Sequence, residues 1–439
     1  MRREVIRTFL LISGLYTLSA SLIWGVNTLF LLQAGLNIFE VFVANAAYTA
    51  GMVLFEIPTG VFADTTGRRA SFLWSAIALL VGTLGYLGAS AVHGGLALFV
   101  LASIVLGLGF SFYSGAVEAW LVDGLKAAGD AGALDRVFAR GSMVSGAAML
   151  IGTVGGGFLG GIDLAWPYVL RAMLLAAVFG VAFWGMRDLG FVPRALSLSA
   201  MPAEMRAVWR TSATYGWGRR SVRLIMIVSF LQDGFLTWGF YAWQPYFLEL
   251  LGRDAVWVAG VVAALTALAT IAGNAVVEFA ARFCGKRSTL LLWGSALFSL
   301  AAIGVGVSGS FWLAVASLVL ANAAIGAAEP VTQAYLHQVV PSPQRATVVS
   351  LVSLFGSAGG IGGQLGLGFV SRAQSIGSGY VVGGLASVLA LPFLVMLRRI
   401  GERADVIVGK AGHRAPCAAQ GLPGVTTVDT SARQPLTVL

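Results

Sequence analysis

Three acidic residues stand inside long apolar stretches of the sequence. Glu118, Asp233 and Glu329 are flanked by runs of apolar and small residues. A charge at the centre of a bilayer costs about 2.5–3.5 kcal/mol on insertion scales, so such residues mark candidate ion or proton pathways. A carboxyl group there can take up and release a proton. The structural alternatives are a hydrogen bond to a neighbouring helix for Glu118 and an ion pair with Arg171 for Asp233.

Small, polar and aromatic side chains recur at helical spacing around these acids. Ser111, Ser114, Gly115 and Glu118 would share one face of a continuous helix. Aromatic residues from Phe235 to Phe247 can line a pocket for a flat, apolar or cationic ligand, or form an interfacial belt. The candidate substrate-binding residues are Trp24, Asn27, Gln232, Trp238, Tyr241, Gln244, Asn322 and Gln333.

The composition places these residues in a membrane protein. The chain has 439 residues, of which 58% are hydrophobic and 11% charged, whereas soluble domains are about 25% charged. The net charge is +9, but the basic residues are scattered, so we expect no nucleic-acid partner. The two cysteines lack metal-ligand spacing. No enzyme constellation or phosphate-binding loop is present, so we expect neither catalysis nor a cofactor.

Twelve apolar stretches are long enough to cross a bilayer, which takes about 20 residues each. We predict a bundle at 1–189, a cytoplasmic linker at 190–221, a second bundle at 222–400 and a disordered tail at 401–439. The predicted spans are 8–32, 38–62, 70–92, 96–122, 137–161, 165–187, 222–250, 255–281, 288–307, 311–337, 346–370 and 380–398.

Arginine and lysine collect in alternate loops, which predicts that both termini are cytoplasmic. Arginine-rich, alanine- and glycine-rich composition further suggests a bacterial inner membrane. The two sets of six spans are related: "EAWLVD" at Glu118 matches "QAYLHQ" at Gln333, 215 residues later, and "GRR" at Gly67 matches "GKR" at Gly285, 218 residues later. Two six-span halves with a site between them near the midplane are typical of transporters.

Two motifs resemble those of the major facilitator superfamily. "GVFADTTGRR", Gly60 to Arg69, is similar to its loop between spans two and three, and "GTVGGGFLGG" in span five resembles the antiporter motif of its drug exporters, with Gly157 in the place of proline. The resemblance implies an all-α fold of twelve helices around a central cavity. It also implies a cytoplasmic latch and gating roles for Glu56, Gly60, Asp64, Gly67, Arg68, Arg69, Gly152, Gly156, Gly160 and Gly161.

Together these features predict a proton-coupled exporter of small, hydrophobic or cationic molecules that works by alternating access. Glu118, Asp233 and Glu329 would couple protonation to substrate release. Its partners would be the substrate, protons and the lipid bilayer, and it would act as a monomer. Two alternatives stay open: a proton-coupled nutrient importer on the same fold, and a membrane receptor that does not transport.

Overall fold

The long apolar stretches form helices, because lipid leaves backbone polar groups no partner outside the chain. The computed structural model describes residues 2–129, 134–193, 216–252, 255–281, 283–341 and 344–407. We call 2–193 the first half and 216–407 the second half. The first half contains α1 Arg2–Ser21, α2 Asn27–Gln33, α3 Ile38–Thr66, α4 Arg68–Ala91, α5 Gly95–Tyr113, α6 Ala116–Ala127, α7 Leu134–Ile162 and α8 Trp166–Gly185.

The second half repeats this series of long helices. It contains α9 Arg220–Leu251, α10 Val256–Ala281, α11 Arg287–Val307, α12 Phe311–Val339, α13 Arg345–Ala373, α14 Ile376–Val388 and α15 Ala390–Ile400. Within the described ranges, 11 helices are long and apolar enough to cross a membrane, with α5 and α6 counted together and α14 and α15 counted together. The remaining predicted span, 8–32, is divided into α1 and α2 by a turn. The predicted all-α architecture of two six-span halves is therefore confirmed.

The fourth span is also divided, and here the sequence prediction was wrong. Gly115 adopts a φ of 73°, which a glycine tolerates and which ends a helix. Ser111 on α5 is buried and contacts the hydroxyl of Thr59 at 2.8 Å, whereas Ser114 and Gly115 are exposed. The predicted continuous face from Ser111 to Glu118 therefore does not exist. Glu118 instead lies in the first turn of α6, exposed.

The two halves use the same packing scheme. In the first half span two packs on span four, three on four, one on five, and both one and three on six. In the second half eight packs on ten, nine on ten, seven on eleven, and both seven and nine on twelve. These pairs correspond one to one when six is added to each span number. The three-dimensional contacts thus carry the internal repeat that the paired motifs indicated.

A pair of equivalent contacts, which we call the braces, ties the last helix of each half to its third span. In the first half the Asp188 carboxylate accepts from the Arg69 backbone N–H at 2.9 Å, and the Arg69 guanidinium donates to the Phe183 carbonyl. In the second half the buried Asp405 carboxylate accepts from the Ser288 N–H and hydroxyl, both at 2.7 Å. A carboxylate is favoured at a helix N-terminus by the peptide dipoles.

The second brace also corrects a predicted boundary. Residues 401–407, assigned from the sequence to a disordered tail, are ordered: Arg403–Asp405 forms a short 3-10 helix, and the Arg287 guanidinium donates to the Ala404 carbonyl at 2.6 Å. The rest of that tail, 408–439, and most of the predicted linker, 194–215, lie outside the described residues. Asp405 follows Asp188 by 217 residues (405 − 188), close to the offsets of the two sequence motifs.

We expect Asp405→Ala to lower the free energy of unfolding by about 1–3 kcal/mol, because it leaves two buried donors of Ser288 without an acceptor. Asp188→Ala should cost less, because Asp188 is exposed. Thermal unfolding of the purified protein measures both changes, with the exposed Glu249→Ala as control. Equal melting temperatures for Asp405→Ala and the control would show that the second brace is not stabilising.

Candidate functional site

The halves contact each other toward one end of the bundle, which we call the hairpin end. It carries the short connections at 34–37, 92–94, 163–165, 308–310 and 374–375; the opposite, linker end carries residues 66–68, 186–193 and 401–407. At the hairpin end α7 packs on α10 and α3 packs on α13. Phe158 and Trp257 stack with ring centroids 6.1 Å apart, and Phe42 lies 5.7 Å from Trp238.

Glycines allow the α7 and α10 backbones to meet. A side-chain carbon at Gly157 would lie 2.7 Å from the Cα of Gly260, and one at Gly260 would collide equally with α7. Close approach of this kind is the usual role of small residues between membrane helices. Gly157, the position at which the antiporter motif has proline, therefore lies at a close backbone contact between the halves.

A single amide joins the halves at the break in the first span; we call this contact the Gln244 clamp. In a continuous helix the Thr28 N–H would donate to the Trp24 carbonyl. Here the Gln244 side chain is inserted between them: its Oε1 accepts from the Thr28 N–H at 2.9 Å, and its Nε2 donates to the Trp24 carbonyl at 2.8 Å. The Thr28 hydroxyl adds a bond to the Tyr241 carbonyl at 2.8 Å. Gln244 is fully buried.

We expect Gln244→Leu to shift the molecule away from the closed hairpin end. Two hydrogen bonds worth about 0.5–1.5 kcal/mol each correspond to roughly a 5- to 150-fold change in the equilibrium. Spin labels on the exposed residues Asp163 and Glu249, one in each half, would report the change as a longer distance population. Gln232→Leu on the same helix is the matched control. Unchanged distances in Gln244→Leu would contradict the clamp.

The first-half cavity, of about 310 Å³, lies beside the clamp. Its polar lining includes the buried guanidinium of Arg171 and the amides of Asn27 and Asn45. Its remaining lining is largely aromatic and aliphatic: Tyr16, Thr17, Ala20, Ile23, Trp24, Tyr48, Leu79, Tyr86, Leu106, Phe110 and Tyr241.

Two further cavities contain carboxylates. The inter-half cavity, of about 440 Å³, lies between α3, α9 and α13 and includes Tyr48, Asp233 and Tyr241. The second-half cavity, of about 120 Å³, includes Gln232, Asp233 and Glu329. Asp233 therefore borders both, while Tyr48 and Tyr241 line both the inter-half cavity and the first-half cavity. Asp233 packs directly against Gly356 of α13.

The structure separates the three predicted coupling acids. Asp233 and Glu329 share the second-half cavity, and Glu329 accepts from the Gln333 amide at 3.0 Å. Glu118 lies on the exposed start of α6. The structural alternative for Asp233, an ion pair with Arg171, is not formed here: the Arg171 guanidinium donates to the Thr83 hydroxyl and the Ser19 carbonyl, both at 3.1 Å.

The predicted binding residues divide into cavity-lining and structural groups. Trp24, Asn27, Gln232 and Tyr241 line cavities. Trp238 does not: it is fully buried in the aromatic core. Gln244 forms the clamp, Gln333 bonds Glu329, and Asn322 donates to the Leu318 carbonyl beside a small apolar cavity of about 50 Å³. Trp238 was predicted to line a pocket because it lies deep in its span, but depth cannot tell a lining residue from a core residue.

Sequence reasoning missed the polar face of span two. Asn45, Tyr48, Thr49 and Met52 line the first-half or inter-half cavity. Their spacing of three, four and seven residues puts them on one helical face, so the signal was present in the sequence. Arg171 was noted only as a partner for Asp233, although a lone arginine in a span is itself a functional candidate.

The predicted gating residues lie in two places. At the linker end the Asp64 carboxylate pairs with Arg68 at 2.7 Å within the first half, Arg69 joins the first brace, and Gly67 takes a φ of 116° between α3 and α4. Glu56 and Gly60 are exposed. At the hairpin end Gly152 and Gly156 pack on Ser21 and Leu22, and Gly160 on Val26 and Val256, whereas Gly161 has open space.

Comparisons with known proteins agree with this architecture. Residues 258–422 match the family model of the Major Facilitator Superfamily. A D-xylose transporter of Levilactobacillus brevis is 34% identical over 98 residues, which are 22% of this chain and 21% of that protein. The match thus spans about a fifth of the relative's length.

Solved structures resemble almost the whole described chain. The structure of the nucleoside transporter NupG aligns with a TM-score of 0.74 at 13% identity, covering 90% of this chain and 99% of that one. The structure of a D-xylose-proton symporter aligns with a TM-score of 0.65 at 14% identity, covering 90% and 96%. At these identities the likeness defines a common fold, the major facilitator fold.

Proposed function

We propose that the protein is a secondary active transporter of the major facilitator superfamily that works by alternating access. The observation that carries the proposal is the inter-half cavity. It is lined by Asp233, and the contacts that close the hairpin end separate it from that end of the bundle. The duplicated halves supply two bodies that can rock about this cavity. The family match over residues 258–422 supports the same proposal.

The coupling ion we propose is the proton, bound at Asp233 with Glu329 as its neighbour. Asp233 borders both the inter-half and second-half cavities. Its contact with Gly356 places it between α9 and α13, two helices whose packing is extensive in the second half. A change in its charge would therefore act on substrate and on helix packing together.

The direction we propose is import of a small polar nutrient. The relative that matches in sequence is a D-xylose transporter, and one similar structure is that of a D-xylose-proton symporter. Export in exchange for protons is the second candidate, because the span-five glycines match the antiporter pattern at four positions. In this protein, however, three of those four glycines, Gly152, Gly156 and Gly160, together with Gly157, pack closely against α1, the turn at 22–26 and α10.

We expect Asp233→Asn to reduce proton-driven accumulation by at least tenfold while exchange of substrate across proteoliposomes continues, because the neutral side chain can no longer carry a proton. Glu329→Gln should also lower accumulation. Glu118→Gln should have a small effect, since Glu118 borders none of the three cavities. Labelled D-xylose and uridine are the first probes for import, and ethidium in inverted vesicles tests export.

The acid assignment fails if Asp233→Asn and wild type respond equally to a proton gradient. Accumulation of ethidium with no uptake of any nutrient would reverse the proposed direction. Binding of a probe without movement across the bilayer would instead favour the receptor alternative.

We also propose that the protein lies in a bacterial inner membrane as a monomer with both termini in the cytoplasm. The linker end then faces the cytoplasm and the closed hairpin end faces outward, so this conformation is inward-facing. In it Asp64 pairs with Arg68 of its own half. The latch across the halves would form in the opposite, outward-facing state.

We expect Asp64→Asn to slow transport severalfold without changing substrate affinity, because it removes the charge that the latch across the halves needs, and Asp64 lines none of the three cavities. Initial rates in proteoliposomes and equilibrium binding in detergent separate the two effects. Asp135→Asn, an exposed acid at the start of α7, is the control. Normal expression with an unchanged transport rate would contradict the latch.

A further inference from the structure

We propose that the first-half cavity binds an anionic group of the substrate, a carboxylate or a group of similar charge, with Arg171 as its counter-charge. This inference rests on the proposed transport function and specifies the class of its cargo. It differs from the cationic or neutral ligand that the aromatic residues alone suggested.

The charge balance of the cavity supports this inference. Arg171 is 7% exposed, and the described residues that line its cavity include no carboxylate. A buried charge is costly unless it is paired and hydrogen-bonded. Arginine carries five N–H donors; here two bonds go to neutral oxygens, of Thr83 and Ser19. Among the described residues the guanidinium has no ion pair.

A second buried donor lies in the same cavity. The Tyr168 hydroxyl donates to Asn27 Oδ1 at 2.8 Å, and Asn27 Nδ2 donates to Asn45 Oδ1 at 3.1 Å. At the end of this series of hydrogen bonds, Asn45 Nδ2 has no hydrogen-bond partner, although Asn45 is only 3% exposed. An unsatisfied buried N–H costs about 1–3 kcal/mol, which an acceptor in the cavity would offset.

The two donors and the shape of the cavity favour an anion with an apolar or hydroxylated body. Charge-assisted hydrogen bonds from arginine to carboxylate are about twice as strong as neutral ones. Tyrosine and phenylalanine side chains form much of the remaining wall. The acids Asp233 and Glu329 border the other cavities, so a bound anion at Arg171 would not face them across the first-half cavity.

Matched probe pairs test the charge preference directly. We would measure binding of benzoate against benzamide, and of D-xylonate against D-xylose, to the purified full chain in nanodiscs by calorimetry. The charged member should bind more tightly in both pairs. Arg171→Gln should weaken its binding by roughly tenfold to a hundredfold and remove the preference, whereas Arg372→Gln, which removes an exposed arginine at the hairpin end, should not.

Two further variants keep the test decisive if Arg171→Gln does not fold. Arg171→Lys retains the charge and should retain the preference for anions, and Asn45→Asp introduces a negative charge and should abolish it. Tighter binding of the neutral members, absence of binding by both anions, or equal anion binding in folded Arg171→Gln or Asn45→Asp would overturn the proposal.

The anion-site proposal and the transport proposal can be contradicted independently of each other. If proteoliposomes carry a neutral solute and Arg171→Gln carries it equally well, the transport function stands and the anion site falls. If anions bind through Arg171 but none crosses the bilayer under any ion gradient, the anion site stands and the transport function falls.

Discussion

The Gln244 clamp is the contact on which this conformation depends. A helix inside lipid must satisfy its own backbone, and the turn at 22–26 separates one donor from its acceptor. The two groups are satisfied by a side chain of the other half. One of the contacts that close the hairpin end therefore also satisfies the break in the first span. The glycine contacts of α7 with α10 surround the same turn, which explains why so many small residues converge there.

The rest of the molecule supports this arrangement in a duplicated way. The packing scheme of the first half recurs in the second, and the braces fix the linker end of each half separately. Each half thus has its own carboxylate contact near the linker end, while the mutual contacts of the halves lie near the hairpin end. Cavities occupy the space between, with a guanidinium on one side and carboxylates on the other.

The sequence predicted the fold well because lipid imposes a simple rule: about 20 apolar residues make one span. Most predicted ends lie within a few residues of the observed ones. Breaks inside spans were missed. Neither the positive φ of Gly115 nor the Gln244 amide that bonds to Thr28 can be seen in the hydrophobicity of the sequence. The break at Thr28 is satisfied by Gln244 of the other half, a tertiary contact that one sequence cannot supply.

The candidate site was predicted less well, for a related reason. Asp233, Glu329 and Tyr241 were selected because polar or aromatic residues in apolar spans are conspicuous, and in the fold they line cavities. Trp238 and Gln244 were equally conspicuous, yet one packs in the core and the other joins the halves. Residue type identified side chains that need a partner, but only the fold shows whether that partner is a solute, a helix or the opposite half. Arg171 was considered only as one possible partner of Asp233, whereas in the fold it bonds to Thr83 and Ser19.

The inserted amide has a consequence for the energetics of opening. When Gln244 withdraws, the Thr28 N–H and the Trp24 carbonyl are left four residues apart in the same chain, where they can bond to each other. The first span would then become one uninterrupted helix. The bonds lost across the interface would be partly replaced within the span, so neither end state leaves those two backbone groups unsatisfied. Such an exchange of partners would let the molecule move between two states of similar free energy without a deep trap in either.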